Sequence, residues 1–124
     1  MITAFVAAVL FLHGLVHLPV WLARGGGGEP FDPRHSWALA AAGAPGHRVA
    51  GAAAIGLASV TSMLYVIADA SAAVQSSGAP AAALFAACTG LLLKTLWFNP
   101  WLSLGVLLDV GVVAVLTCRP ASLY

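Results

Sequence analysis

Four ionisable side chains lie inside long apolar stretches of this 124-residue chain, namely His13, His17, Lys94 and Asp109. A charged group in hydrocarbon costs about 2.5–3.5 kcal/mol, so each needs a partner, a water-filled cavity or a route to the surface. Imidazole groups exchange protons near neutral pH and bind metals, whereas Lys and Asp can neutralise each other. The residue types therefore indicate a polar site for binding or proton relay.

The two histidines are four residues apart, so on a helix His13 and His17 lie one turn apart on one face. The other residues on this face are Val6, Leu10 and Trp21. We expect this face to point into the protein. Pro19 cannot donate a hydrogen bond to the carbonyl of Leu15, which predicts a helix kink and a free acceptor near His17.

With a helix rise of about 1.5 Å per residue, Asp109, about eight residues from Trp101, lies at nearly the same depth as His13, about ten residues from Ala23. His17 and Lys94 each lie about one turn nearer the face that bears the long loop, so the four residues form two predicted polar layers. Helical side chains tilt toward their N-terminus, so the Lys and Asp side chains converge. We predict a buried ion pair, with snorkelling of Lys94 to the headgroups as the alternative.

The histidines have two interpretations. They can be neutral groups that bind helices together, each worth about 1 kcal/mol. Alternatively, His13 and His17 are proton-relay groups or metal ligands, with Asp109 as counter-charge or third ligand. Zinc catalysis needs a third ligand and a general base, and Asp109 alone remains for both, so no metal is predicted. Haem is disfavoured because both histidines share one helix, and no cofactor is predicted.

The elements that position these residues are four apolar segments. The chain is 61% hydrophobic and 7% charged, whereas soluble domains carry about 45–50% apolar and about 25% charged residues. Spanning helices are predicted at 2–23, 49–68, 81–98 and 101–118, with one long loop at 24–48. The predicted fold is a single all-α domain, an integral membrane four-helix bundle with up-down-up-down topology.

Several smaller features qualify this layout. A short interfacial helix is expected after an N-cap at Ser36. In the second span, small residues recur every four positions, which indicates helix contact or the chance pattern of an Ala-rich chain. These lines are Ala52 with Gly56, and Ala54 with Ala58 and Ser62. Cys88 and Cys118 have no paired spacing and are predicted to be small packed residues in the core.

Charge and tryptophan placement predict orientation. Most basic residues share the face of the 24–48 loop, and Arg119 alone lies on the other. The residues on the loop face are Arg24, Arg34, Arg48 and the nearby Lys94. The positive-inside rule then places the loop in the cytoplasm and both termini outside. All four tryptophans lie near the same face and are interpreted as an interfacial anchor belt, with a substrate-binding aromatic cluster as the alternative: Trp21, Trp37, Trp97 and Trp101.

The segment His13-Gly14-Leu15-Val16-His17-Leu18, with four spans and a Trp-rich third turn, resembles a group of small uncharacterised bacterial four-helix membrane proteins with an N-terminal HGxxHL segment. The resemblance implies the four-span layout and no established activity. Small multidrug exporters share the size but are similar to one another in a Glu within the first helix, where this chain has histidines.

Two functions are expected from these residues. The first is binding or transport of a small solute or ion in the inner membrane, coupled to protons through His13, His17, Lys94 and Asp109. The second is a non-catalytic accessory or scaffold subunit of a membrane complex. Catalysis is the less favoured interpretation because no complete catalytic constellation is present. Beyond the lipid bilayer, the expected partner is a second copy or a larger membrane protein; nucleic acid is excluded because no basic stripe exists.

Overall fold

The computed structural model describes residues 2–22, 31–43 and 46–118. These ranges form five α-helices and no strand: α1 (Ile2–Trp21), α2 (Trp37–Ala41), α3 (Gly46–Ala73), α4 (Ala79–Leu96) and α5 (Ser103–Thr117), with a 3-10 turn at Pro100–Leu102. Four segments are long and apolar enough to cross a membrane, namely Ala4–Trp21, Gly46–Ala73, Ala79–Leu96 and Pro100–Thr117. The all-helical prediction is confirmed.

The boundaries differ most in the second span. We predicted that it closes at residue 68, but α3 continues to Ala73. Asp69 does not end the helix because the following Ala and Ser residues sustain it. Gln75 ends it instead, with a positive φ of 54°, and Ser76 N–H donates to the Ser71 carbonyl at 2.8 Å in a Schellman motif. Residue 23 of the predicted first span, and residues 24–30 and 44–45 of the predicted loop, lie outside the described residues.

The short helix after Ser36 is confirmed. Ser36 Oγ accepts a hydrogen bond from Leu39 N–H at 3.2 Å, which caps α2. The same hydroxyl donates to the Leu96 carbonyl at 2.6 Å. Trp97 Nε1 donates to the Pro33 carbonyl at 2.7 Å. The described part of the loop is therefore tied to the end of α4.

The helices pack in series: α1 contacts α3, α3 contacts α4, and α4 contacts α5. The line of Ala54, Ala58 and Ser62 is buried in this packing, which favours helix contact over a chance pattern for these three residues. The other line is not, because Ala52 and Gly56 are exposed. The only described residue that α5 buries is Asp109, apart from the flanking turn. Val112 and Leu116 of the same helix are half-buried and pack against the core cluster that contains Leu10 and Tyr65.

The prediction that all four tryptophans form an interfacial belt is wrong for two of them. Trp21 and Trp97 are 1% and 2% exposed, and their ring centroids lie 6.0 Å apart. They form a core cluster with Leu93 because the close approach of α1, α3 and α4 encloses both rings. Trp37 and Trp101 are exposed and remain suited to an interface.

The prediction that both cysteines pack in the core is wrong. Cys88 and Cys118 are free thiols on the outer surface of their helices. The exposed helix surfaces near them are themselves apolar, with Phe85 and Val115 both 67% exposed, so apolar neighbours in the sequence do not indicate burial of a thiol here.

Candidate functional site

The centre of the candidate site is the carboxylate of Asp109, which is fully buried. Its Oδ1 accepts hydrogen bonds from the Tyr65 hydroxyl and from His13 Nε2, the latter at 2.8 Å. Its Oδ2 accepts from Lys94 Nζ at 2.6 Å. An ionised carboxylate is an acceptor only, so three donors match it well. The predicted Lys94–Asp109 ion pair is thus present in the structure.

Lys94 and His17 form the second part of the site, next to the Asp109 carboxylate. Lys94 is 4% exposed, which excludes the snorkelling alternative. His17 Nδ1 lies 2.9 Å from the His13 carbonyl, to which it can only donate. The network therefore assigns the Nδ1–H tautomer to a neutral His17, whose Nε2 accepts from Lys94 Nζ at 2.9 Å. The two predicted polar layers, His13 with Asp109 and His17 with Lys94, meet in one cluster.

Two details of the α1 prediction are wrong. The backbone acceptor for His17 is the His13 carbonyl rather than that of Leu15, because helical side chains tilt toward the N-terminus and meet the preceding turn. Val6 is 43% exposed, although it was placed on the inward face. The buried positions of α1 are instead Ala7, Leu10, Gly14, His17 and Trp21, which follow helical spacing.

Tyr65 is the member of the cluster that the sequence did not predict. It is fully buried on α3, where only small packing residues were expected. Its ring lies edge-on to His13, with centroids 4.8 Å apart. The sequence spacing could have indicated this burial. Tyr65 follows Ser62 by three residues and so lies on the same helix face as the buried line of small residues. Each of the four long helices therefore contributes to the cluster.

Three glycines make room for these side chains. A Cβ on Gly90 would lie 2.6 Å from Asp109 Oδ2, and a Cβ on Gly105 would lie 2.6 Å from Lys94 Cε. A Cβ on Gly14 would lie 2.8 Å from the Cβ of Tyr65. Such distances are far shorter than the usual carbon–carbon contact of about 3.5–4.0 Å. At these three positions the helix backbone approaches the cluster closely because a side chain is absent.

A groove of about 340 Å³ between α1 and α5 leads to the cluster. His13, His17 and Lys94 form its polar part. Its other walls are apolar or aromatic, and they comprise Val16, Val20, Trp21, Trp101, Leu102, Leu104, Gly105 and Leu108. The volume falls within the range of small-molecule sites, about 300–1,000 Å³. The cluster is thus reachable by a ligand with an apolar body.

A metal fits these residues poorly. The ligand atoms of His13, His17 and Asp109 lie within 4.8 Å of one another. However, Asp109 Oδ2 and His17 Nε2 both bind the ammonium of Lys94. A metal ion at these atoms would have to displace a buried cation. The donor set therefore favours hydrogen-bond and proton chemistry.

A second group of polar residues lies in the loop. Arg34 forms side-chain hydrogen bonds with Asp32 at 2.8–3.2 Å, which lowers the pKa of Asp32 to about 2. The His35 and His47 rings lie 4.4 Å apart. None of these residues contacts the buried Asp109 cluster among the interactions that the structure describes.

The fold and the cluster define a class: an all-helical chain with four helices long and apolar enough to span a membrane, joined by one buried polar cluster. Compared with models of known protein families, with curated proteins and with solved structures, the chain matches none. The resemblance through the His13–Leu18 segment remains a prediction.

We expect Tyr65→Phe to destabilise the protein by about 1.5–3 kcal/mol, because it removes a donor to a buried, charged acceptor. Unfolding in mixed micelles by increasing SDS measures this difference. Ser59→Ala is the matched control, since the Ser59 hydroxyl bonds only its own helix, at the Ile55 carbonyl. Equal stability of the Phe variant and the wild type would contradict the assigned hydrogen bond.

Proposed function

We propose that this chain is a multi-pass inner-membrane protein that binds or transports a small solute or ion in a proton-coupled manner. The observation that carries the proposal is the groove between α1 and α5, which joins the buried Lys94–Asp109 pair to the outer surface of the bundle. An apolar pocket with a few convergent ionisable groups is a typical ligand site. The proposed site residues are His13, His17, Lys94 and Asp109.

The proton chemistry follows from His13. Its Nε2 lies 2.8 Å from Asp109 Oδ1, so a carboxylate lies directly beside the ring. Its side chain also lines the groove and is 10% exposed, so protons can reach it there. His17 donates from Nδ1 to the His13 carbonyl and accepts at Nε2 from Lys94 Nζ, and therefore positions the ammonium. His13 is thus the proton-accepting residue of the proposed site.

The proposal includes an assembly and an orientation. The bundle is narrow, so a transport pathway requires a dimer or a larger partner. Most of the large apolar side chains of α5 are exposed, for example Leu104 at 70% and Leu107 at 67%, which leaves a surface for a second copy. We place the 24–48 loop in the cytoplasm by the positive-inside rule.

The test is proton flux into liposomes that contain the purified protein and a pH-sensitive dye. His13→Gln removes the imidazole but retains an N–H donor toward Asp109. We expect it to slow flux at least about tenfold, since a positioned proton-transfer group commonly contributes about 10²–10⁴-fold. His35→Gln, in the exposed loop, is the matched control and should match the wild type. If wild-type vesicles conduct no faster than empty ones across a range of solutes, transport is excluded.

The second candidate function is an accessory or scaffold subunit. It is favoured by the fact that no buried side-chain nitrogen or oxygen among the described residues lacks a hydrogen-bond partner. A polar cluster in which every buried nitrogen and oxygen has a hydrogen-bond partner can hold four helices together without any ligand. This candidate predicts that cluster variants lose stability while no flux is measured for any variant or the wild type.

A further inference from the structure

One ring nitrogen of His13 is not used by the cluster. His13 Nε2 donates to Asp109 Oδ1, whereas Nδ1 makes no hydrogen bond with a described residue. Buried nitrogens without a partner are absent from the described residues, so His13 Nδ1 must be accessible. His13 is one of the residues that line the groove between α1 and α5, so the accessible part of its ring, with Nδ1, is assigned to the groove side. In the neutral ring this atom is a lone pair that accepts a hydrogen bond or a proton.

The mouth of the groove lies on the outer surface of the bundle. Val16, Leu104 and Leu108 border it and are 56%, 70% and 40% exposed. In the proposed membrane setting, this mouth opens to hydrocarbon. A ligand that arrives by this route must be uncharged and largely apolar, because charge in hydrocarbon is costly. To meet the Nδ1 lone pair, it must also carry a hydrogen-bond donor.

We propose that the groove binds lipophilic monocarboxylic acids in their protonated form, with the acid O–H directed at His13 Nδ1. The apolar body occupies the groove beside Val20 and Leu108. On binding, the O–H bond breaks and an N–H bond forms at Nδ1, and the electron pair of the O–H bond remains on the carboxylate. The product is an imidazolium held between the carboxylates of the ligand and of Asp109.

The charges of the site agree with this transfer. The groups that face His13 are Tyr65 from α3, Asp109 from α5 and His17 from α1, with Lys94 from α4 on the far side of Asp109. Lys94 and Asp109 neutralise each other before binding. The neutral acid then brings in one proton and one carboxylate, so the net charge of the buried site does not change. A ligand with a permanent charge would instead change the net charge of the buried site.

This inference rests on the proposed function, for which it names the substrate class. The probe is ω-bromodecanoate, whose bromine quenches tryptophan fluorescence, with ω-bromodecanol as the same body without an acid. Trp21 and Trp101 line the groove and report occupancy. The protein is held in detergent micelles at pH 7 and pH 8, and proton uptake is measured in parallel with a pH electrode in weak buffer.

We expect saturable binding of the acid with one proton taken up per site. The dissociation constant for total acid should rise about tenfold per pH unit, as linkage of one proton requires. Binding should be lost in His13→Gln and in Val16→Phe, which fills the groove. Leu15→Phe is the matched control for bulk, because Leu15 is 49% exposed and lies outside the groove. It should bind the acid as the wild type does.

Two results would overturn the inference: equal affinity for the acid and the alcohol, or unchanged acid binding in Val16→Phe. These outcomes are separate from failure of the proposed transport. If flux depends on His13 but the acid does not bind saturably, transport stands and the substrate class is wrong. If the acid binds as described and vesicles show no flux, the substrate class stands and the protein is a binding protein without transport.

Discussion

Asp109→Asn is expected to destabilise the protein by about 3–5 kcal/mol, the usual effect of removing one partner of a buried ion pair. The carboxylate accepts hydrogen bonds on both oxygens, whereas an amide can accept on only one. In either orientation the amide N–H points at a donor: Lys94 on one side, or Tyr65 and His13 on the other. The buried ammonium of Lys94 also loses its counter-charge. Unfolding by SDS in mixed micelles measures the loss.

The decisive comparison is the double variant Lys94→Met/Asp109→Asn. It removes both charges, and replacement of a buried pair by uncharged groups is often close to neutral. We therefore expect it to recover most of the stability that each single variant loses. A double variant with the sum of the two single losses would show that the charges do not interact.

Gly14→Ala is expected to cost about 1–3 kcal/mol, as overpacking of a well-packed interface does. The new methyl group would lie 2.8 Å from the Cβ of Tyr65, an atom fixed to the backbone of α3. It would also lie 3.6 Å from the Ser62 carbonyl oxygen, next to the Ser62 hydroxyl that donates to the Gly14 carbonyl at 3.0 Å. Relief requires α1 and α3 to separate, which would move His13 away from Asp109.

Gly56→Ala provides the control for this variant. Gly56 lies on α3, and no atom of a neighbouring element lies within 4 Å of the position that its new methyl group would take. Ala is the better helix former by about 1 kcal/mol, so this variant should be neutral or more stable. If Gly14→Ala were as stable as Gly56→Ala in the same SDS titration, the close approach of α1 and α3 would be wrong.

The sequence predicted the helices and the ionic pair for different reasons. Apolar runs of sufficient length identify spans directly, and the regular rise of a helix converts the positions of Lys94 and Asp109 into depths. The pairing of these two residues was therefore predictable. The position of Tyr65 was harder to predict from the sequence, because depth alone does not show which face of α3 meets the other helices.

The wrong predictions about which tryptophans and cysteines are buried share one physical cause. In a soluble protein an apolar residue points inward, but in these helices the outer surface and the core are both apolar. Sequence pattern therefore did not separate Trp21, which is buried, from Trp101, which is exposed. It placed Cys88 and Cys118 in the core for the same reason. Only polar residues carried a clear directional signal.

The burial of Asp109, the one fully buried described residue of α5, also bears on the order in which the helices assemble. Lys94 precedes Asp109 in the sequence, so a chain folded only as far as α4 holds an ammonium without its carboxylate partner. In the proposed membrane setting, the docking of α5 would supply that counter-charge and complete the bundle. A chain in which α5 cannot dock would keep an unpaired lysine among its apolar helices.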